Sequence, residues 1–258
     1  MRSIWDGSIN FGLVNIPVRM YSGSDSRQGL DLDMLHKKDS SPIRYARICR
    51  KDHSEVPYNE IVKGYQYAKG KYVVLNEEDF EKANIHKTRN IEIQQFVQEQ
   101  EIDSRYYEKH YYLEPEEKAE TTYILLREAL QKSGRVALAK YVLHGHESLA
   151  VIKPIGKALV LNQMRWPADV RSFNGLQFPS GEASPNELKM ALSLIDQLTK
   201  PFIAEDWHDT FTEELQDIIT QKTKGKMLKP KGEIRKPTEV ADVMKSLKAS
   251  LNKKPAKK

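Results

Sequence analysis

The chain has little cysteine and no long apolar run. Cys49 is the only cysteine among 258 residues, which excludes an intramolecular disulfide and favours a reducing, cytosolic setting. The longest early stretch without charge covers residues 7–18, and it is too short and too polar to cross a bilayer. No secretory signal is visible at the N-terminus. We therefore expect a protein of the cytoplasm that has no membrane partner.

Acidic residues are scarce in the C-terminal segment. The formal net charge of the chain is +5, but residues 222–258 contain 13 Lys and Arg against three acids, so the rest of the chain is net negative. A basic arm on a mildly acidic body indicates a polyanionic partner, and nucleic acid is the first candidate because phosphate neutralisation releases counterions. A solubilising tail is the alternative.

The first part of the chain has mostly strand patterns. Residues 3–23 are rich in β-branched and aromatic side chains, and residues 89–98 alternate between apolar and polar. Residues 62–75 predict a hairpin that turns at Gly70, and a short helix capped by Asn76 follows it. No internal repeat is apparent.

Helical patterns follow the strands. Tyr123, Leu126 and Leu130 recur at helical spacing before Gly134, and three apolar strands come next, with turns at 144–147 and 154–157. Ser184 caps a further helix, and "DTFTEELQDIITQK" predicts another. A final amphipathic helix after Thr238 would place five apolar residues on one face: Val240, Val243, Met244, Leu247 and Leu251. The predicted class is α+β, mainly β.

Motifs for catalysis are lacking. "PIGKAL" does not complete a phosphate-binding loop, and no Gly-x-Ser-x-Gly elbow occurs. A metal-dependent nuclease needs carboxylates that converge in space, so it stays open as an alternative. Zinc ligands could come from one region, which holds His36, Asp39, Cys49, Asp52 and His53, but zinc sites favour paired Cys and His. We favour a buried thiol and solvated imidazoles there, and we predict no metal and no cofactor.

Basic residues also concentrate in the body, between residues 127 and 171. Eight cations stand there against three acids, on strands and turns and not on one recognition helix. Cations placed in this way could contact sugar-phosphate without base readout, but charge alone slightly favours a solvated sheet face.

Several long motifs resemble the bacterial Ku family of DNA-end-binding proteins. The similarity runs nearly end to end, and the motifs that carry it are "IWDGSINFGLVNIPVRMYS", "LHKKD", "IRYARIC", "EVPYNEIVKGYQYAKGKYVVL", "EIDSRYYEKHYYLEP", "LLREALQKSGRVALAKYVLHGHESLAVIKP" and "VADVMKSLKASL".

The resemblance implies a fold and an activity. Residues 1–170 would form a β-barrel core with an extended strand bridge, residues 171–224 a helical arm for dimerisation, and residues 225–258 a basic linker, an amphipathic helix and a lysine-rich tail. Two copies would form a ring that is threaded by duplex DNA. The ring would bind and protect double-strand ends for non-homologous end joining, without catalysis, and would recruit the multifunctional ATP-dependent end-joining DNA ligase at the bacterial nucleoid. A basic-tailed architectural DNA-binding protein without end specificity, or a metal-dependent nuclease, are the alternatives.

The resemblance also implies which residues would bind DNA. The segments of the family that line the ring match Lys69, Lys71, Lys140, His144, His146 and Lys153. Charge alone adds Lys132, Arg135 and Lys157. The tail lysines would hold DNA electrostatically: Lys253, Lys254, Lys257 and Lys258. The apolar face from Val240 to Leu251 would bind a partner. Many family members have cysteines where this chain has Asp39 and Asp52, which supports the expectation of no zinc.

Overall fold

Seven strands of the chain close into a barrel, and two more form a separate hairpin. The structure, a computed structural model, describes residues 1–25, 30–83 and 89–225. Its strands are β1 (Trp5–Phe11), β2 (Val14–Ser22), β3 (Lys63–Ala68), β4 (Lys71–Leu75), β5 (Asn90–Gln98), β6 (Tyr107–Pro115), β7 (Arg135–Leu143), β8 (His146–Ile155) and β9 (Ala158–Met164). Its α-helices are α1 (Glu77–Ala83), α2 (Glu120–Ser133), α3 (Pro185–Leu198) and α4 (Thr210–Thr223).

The barrel closes where β5 pairs with β1. Its order is β1-β2-β6-β9-β8-β7-β5, and β5 returns to pair with β1 in parallel, while all other neighbours are antiparallel. A closed barrel has no free edge strand, so its backbone groups are paired all the way round. The predicted class, α+β and mainly β with a barrel core, is confirmed.

The core consists of inward-facing side chains from alternate strand positions. Ile9, Ile16, Met20 and Ile91 are fully buried, as are the small residues Ala137 and Ala139 of β7. Helix α2 covers one end of the barrel with Tyr123, Leu126 and Leu130, as the helical spacing predicts. Burial of each large apolar side chain contributes about 1.5–3 kcal/mol.

A buried tyrosine joins α2 to the barrel wall. The hydroxyl of Tyr123 donates a hydrogen bond to the carbonyl of Leu113 on β6, at 2.7 Å. It accepts another from the backbone N–H of Leu159 on β9, at 2.6 Å. Gly134 then ends the helix in the left-handed region, with φ of 64°.

A second polar cluster is shared by two buried tyrosines. The hydroxyls of Tyr111 and Tyr141 both donate to Oε1 of Gln163, each at 3.2 Å. Burial raises the pKa of both tyrosines, so both stay neutral donors through the physiological range. The cluster gives the strands β6, β7 and β9 one common hydrogen-bond acceptor.

The described residues divide into two units, one within residues 1–28 and 32–172 and the other within residues 29–31 and 173–258. The second unit contains α3, which Ser184 caps by accepting from the N–H of Glu187, and α4, which Asp209 caps at Thr212. Neither helix buries any residue. Leu188, Leu192 and Ile195 are exposed at helical spacing, and so present an apolar face.

Candidate nucleic-acid interface

The hairpin of β3 and β4 stands outside the barrel. Among the described residues its two strands pair only with each other, and every residue of β3 is exposed. Gly70, with φ of 75°, makes the turn, and Lys69 and Lys71 flank it. The structure therefore places both predicted lysines at the tip of an exposed ribbon.

Two matching turns precede this hairpin, at residues 36–41 and 49–54. In each turn the first N–H donates to the last carbonyl at 2.8 Å, from His36 to Ser41 and from Cys49 to Ser54. Each has an aspartate in fourth place whose carboxylate accepts from the N–H two residues later. Each also has a residue in the left-handed region just before its end, Ser40 or His53. The expectation of no internal repeat is therefore wrong for this short unit.

The matching turns present cations that sequence reasoning missed. Lys37 and Lys38 occupy the middle of the first turn, and Arg50 and Lys51 the same places in the second. All four are exposed. Residues 32–75 contain nine Lys and Arg against five acids. An alignment of "HKKDSS" with "CRKDHS" is the sequence signal that finds these cations.

The same segment exposes large apolar side chains. Tyr45 is 86% exposed and Tyr58 77% exposed, and Leu32, Val62 and Tyr65 are among many others. An exposed apolar surface of this extent is typical of an interaction site. The segment thus combines cations with apolar side chains, both open to solvent.

Three further candidates lie at the end of the barrel covered by α2. Lys132 is in the last turn of α2, Arg135 begins β7, and Lys157 is in the turn between β8 and β9. Hydrogen bonds hold that turn against α2, because Gln131 donates to the carbonyl of Gly156 and Arg127 to that of Lys157. Glu128 pairs with Lys132 at 3.4 Å. The three cations therefore belong to one rim of the barrel.

Two histidine candidates lie at the opposite end of the same strands. His144 and Gly145 both have positive φ, 52° and 81°, and form the two-residue turn between β7 and β8. His144 and His146 are exposed. The nine residues of β7 separate this turn from Arg135 by about 27 Å. The β7–β8 ribbon inferred from sequence is part of the barrel wall as far as Tyr141 and Leu149, where pairing with β5 and β9 ends. Beyond that, residues 142–148 continue as a hairpin in which the two strands pair with each other.

The remaining two lysines are engaged in ion pairs. Lys140 Nζ lies 3.7 Å from Oε2 of Glu147 and 5.4 Å from the ring centre of Trp166. Lys153 Nζ pairs with Glu99 and lies 6.0 Å from the ring centre of Tyr107. The pairing of Lys153 is not visible in the sequence as a local motif, since Glu99 and Lys153 are 54 positions apart.

Four of the residues considered for zinc have side chains that take part in hydrogen bonds: His36, Asp39, Cys49 and Asp52. Asp39 accepts from the N–H of Ser41, which lowers the pKa of its carboxyl, and it lies 3.1 Å from Nδ1 of His36. Hydrogen bonds from Cys49 and Ser54 lower the pKa of Asp52. Within the described ranges, no three His, Cys, Asp or Glu side chains are grouped so that they could hold a metal ion. Hydrogen bonds within each turn account for the geometry of both.

Other predicted features fall outside this part of the chain. The four tail lysines and the apolar face from Val240 to Leu251 lie outside the described residues. Of the helices that the structure describes, none is both long enough and apolar enough to span a bilayer.

Comparison with known proteins identifies the family. The model of the Ku70/Ku80 beta-barrel domain matches residues 10–190. The chain is 39% identical over 272 residues to the non-homologous end joining protein Ku of Opitutus terrae, covering 100% of this chain and 96% of that protein. The proteins of the same name from Pseudomonas aeruginosa and Bacillus subtilis are 37% and 35% identical, over 97% and 98% of this chain and 88% and 82% of their own lengths. With a family-model match over residues 10–190 and relatives of this identity along nearly the full length, the chain belongs to the Ku family.

Proposed function

We propose that the protein binds and protects the ends of double-stranded DNA, irrespective of sequence, as a homodimeric ring that encloses the duplex. The names of its relatives support a role in non-homologous end joining. The protein acts by binding and not by catalysis, and it works on chromosomal DNA in the cytoplasm.

The exposed segment 32–75 carries this proposal. In a single chain its apolar side chains stay in water, at a cost that a second copy removes by covering them. Its cations would then face the enclosed duplex. The exposed apolar face of α3 has the same character, so we assign the arm of α3 and α4 to the contact between the two copies.

The placement of the cations suits a grip on the DNA backbone. Lys69 and Lys71 are at a hairpin tip, while Lys132, Arg135 and Lys157 lie on a barrel rim and not along a helix that fits the major groove. Contacts of this kind reach phosphates and read no bases. A protein that must accept any broken end requires that indifference to sequence.

The C-terminal residues extend the proposal to a partner. The apolar positions Val240, Val243, Met244, Leu247 and Leu251 would bind the ATP-dependent end-joining ligase. The surrounding lysines, with Lys253, Lys254, Lys257 and Lys258, would hold DNA electrostatically.

A comparison of two DNA forms tests the proposal. Equal masses of one sequence, as linear duplex and as covalently closed circle, compete for the protein in a gel-shift titration. The ring predicts strong preference for the linear form. Equal binding of both forms would instead indicate an architectural DNA-binding protein, and cleavage in the presence of Mg²⁺ or Mn²⁺ would indicate a nuclease.

A further inference from the structure

Two candidate DNA-binding lysines are neutralised by carboxylates of the barrel unit itself. Lys140 pairs with Glu147 at 3.7 Å, and Lys153 pairs with Glu99. Lys140 also faces Glu92 across the β5–β7 ladder. In the DNA-free protein, therefore, this wall offers phosphates much less positive charge than its lysines alone would suggest.

Both lysines point away from the core. The neighbours of Lys140 along β7, Ala139 and Tyr141, are buried in the barrel interior, so the alternation of the strand turns Lys140 outward. Ile152 is buried in the interior in the same way, which turns Lys153 outward on β8. The two ion pairs thus lie on the outer wall formed by β7 and β8.

The pairs are accessible enough to be exchanged. The side chains of Lys140 and Glu147 are 42% and 46% exposed, and those of Lys153 and Glu99 are 25% and 47% exposed. Ion pairs at this degree of exposure are weak because water screens them. A phosphate oxygen that approaches either lysine can replace the carboxylate, which then turns into solvent.

The carboxylate of Glu99 is not the group that caps its own 3₁₀ helix. The 3₁₀ helix Glu99–Glu101 is capped by Glu101, whose Oε2 accepts from the N–H of Gln98 at 2.9 Å. Glu147 similarly makes its ion pair from a strand position that is half exposed. Glutamine keeps the shape of both side chains and removes only the charge, so substitution tests the charge without loss of the fold.

We propose that Glu99 and Glu147 are built-in competitors of the DNA phosphates and set how tightly the protein grips duplex. This inference rests on the proposed function. Each lysine exchanges its carboxylate for a backbone phosphate when DNA is present, and the free-energy gain is the difference between two charge pairs. The resulting grip is weak at each contact. A weak grip lets an encircling protein move along the duplex while its topology keeps it there.

The test is a gain of affinity in the full chain. We expect Glu99→Gln and Glu147→Gln each to bind a short blunt duplex about two- to fivefold more tightly, as for removal of a competing exposed ion pair. Because each lysine reaches its phosphate in the unaltered protein as well, the number of phosphate contacts and the slope of log K against log salt should stay nearly the same. Fluorescence anisotropy over a range of salt concentrations measures affinity and slope. Unchanged affinity in both variants would overturn the inference.

A matched control separates competition at these lysines from general charge. Arg19 and Glu116 also lie 3.7 Å apart, with side chains 46% and 40% exposed, and Arg19 is on β2 and not on the β7–β8 wall. Glu116→Gln changes the net charge by the same amount and should leave affinity and slope unchanged. An equal gain from Glu116→Gln would mean that charge acts from anywhere, which contradicts the inference.

A double variant tests whether Glu147 acts through its lysine. In a Lys140→Gln background, Glu147→Gln should no longer tighten binding, and a persistent gain would exclude competition at Lys140. The same preparations are compared on linear and closed-circular DNA. If the unaltered protein shows no preference for linear DNA, the proposed function fails. If it shows that preference and the variants bind like it, only this inference fails.

Discussion

Tyr123 on α2 and Leu159 on β9 are joined by a 2.6 Å hydrogen bond from the Leu159 N–H to the tyrosine hydroxyl. Leu159 faces Leu113 in the β6–β9 register, and the same hydroxyl donates to the carbonyl of Leu113. The hydroxyl therefore lies between the two strands at the covered end of the barrel. It holds the helix there by two buried hydrogen bonds.

Tyr123→Phe should lower the free energy of unfolding by about 1–3 kcal/mol, because it leaves a buried N–H and a buried carbonyl unsatisfied. Urea unfolding of both proteins measures the loss. Tyr112→Phe is the control, since Tyr112 is 39% exposed on β6 and its loss of a hydroxyl should change stability little. Equal losses in the two variants would contradict the role of Tyr123.

The sequence predicts the helix but not this bond. The spacing of Tyr123, Leu126 and Leu130 and the stop at Gly134 are local signals, and α2 follows them. Which strands face the hydroxyl depends on the pairing of β6 with β9, whose partners are far apart in the chain. The parallel closure of β1 on β5 is long-range in the same way. Periodicity carries no information about either.

A second prediction concerns alkaline pH. Burial raises the pKa of Tyr141, so above about pH 10 the unfolded chain loses this proton while the folded chain keeps it. The stability that Tyr141 contributes is therefore fully present below about pH 10 and is lost as the pH rises further. Tyr141→Phe should reduce the steepness of that loss by about 1.4 kcal/mol per pH unit.

Urea unfolding at several pH values from about 9 to about 11 checks this difference. Gln163 keeps its bond from Tyr111 in the variant, so the core cluster retains one donor. Tyr67→Phe is a suitable control because Tyr67 is 63% exposed. Parallel pH curves for Tyr141→Phe and the unaltered protein would refute the prediction.

The candidate site was predictable in part. Gly70 between two lysines predicts a hairpin tip with cations on it, and the structure has that tip. The partner of Lys153 was not predictable, because β8 comes near Glu99, which follows β5, only in the folded barrel. Glu147 reaches Lys140 within the β7–β8 hairpin, whose turn the sequence predicts. The matching turns were missed because their hydrogen-bond pattern repeats more regularly than their amino-acid sequence does.

The hairpin tip gives a third prediction. Replacing Lys69 and Lys71 by Gln should weaken binding to a blunt duplex and reduce the slope of log K against log salt by up to about 1.8, for two lost phosphate contacts. A double change of Lys82 and Lys189 to Gln removes the same charge from the helices α1 and α3. We expect that control to bind nearly as the unaltered protein does. Equal effects would show that the tip has no special position.

The C-terminal segment gives a fourth prediction. Removal of residues 226–258 takes away 11 Lys and Arg and three acids, and should weaken DNA binding and flatten its salt dependence. A scrambled segment of the same composition should restore DNA binding but not ligase binding, because scrambling disperses the apolar positions Val240 to Leu251. If the shortened protein bound DNA as tightly as the full chain at every salt concentration, the assignment of the tail to DNA would be contradicted.

The central claim is that the protein encloses duplex DNA and that the duplex threads into it only from an end. The most direct measurement adds bulky protein blocks to both ends of a linear duplex, either before or after the protein, and follows its release into high salt. A ring predicts no loading when the blocks come first and slow release when they come last. Equal loading in both orders, or equally fast release with and without blocks, would show that the protein does not encircle DNA.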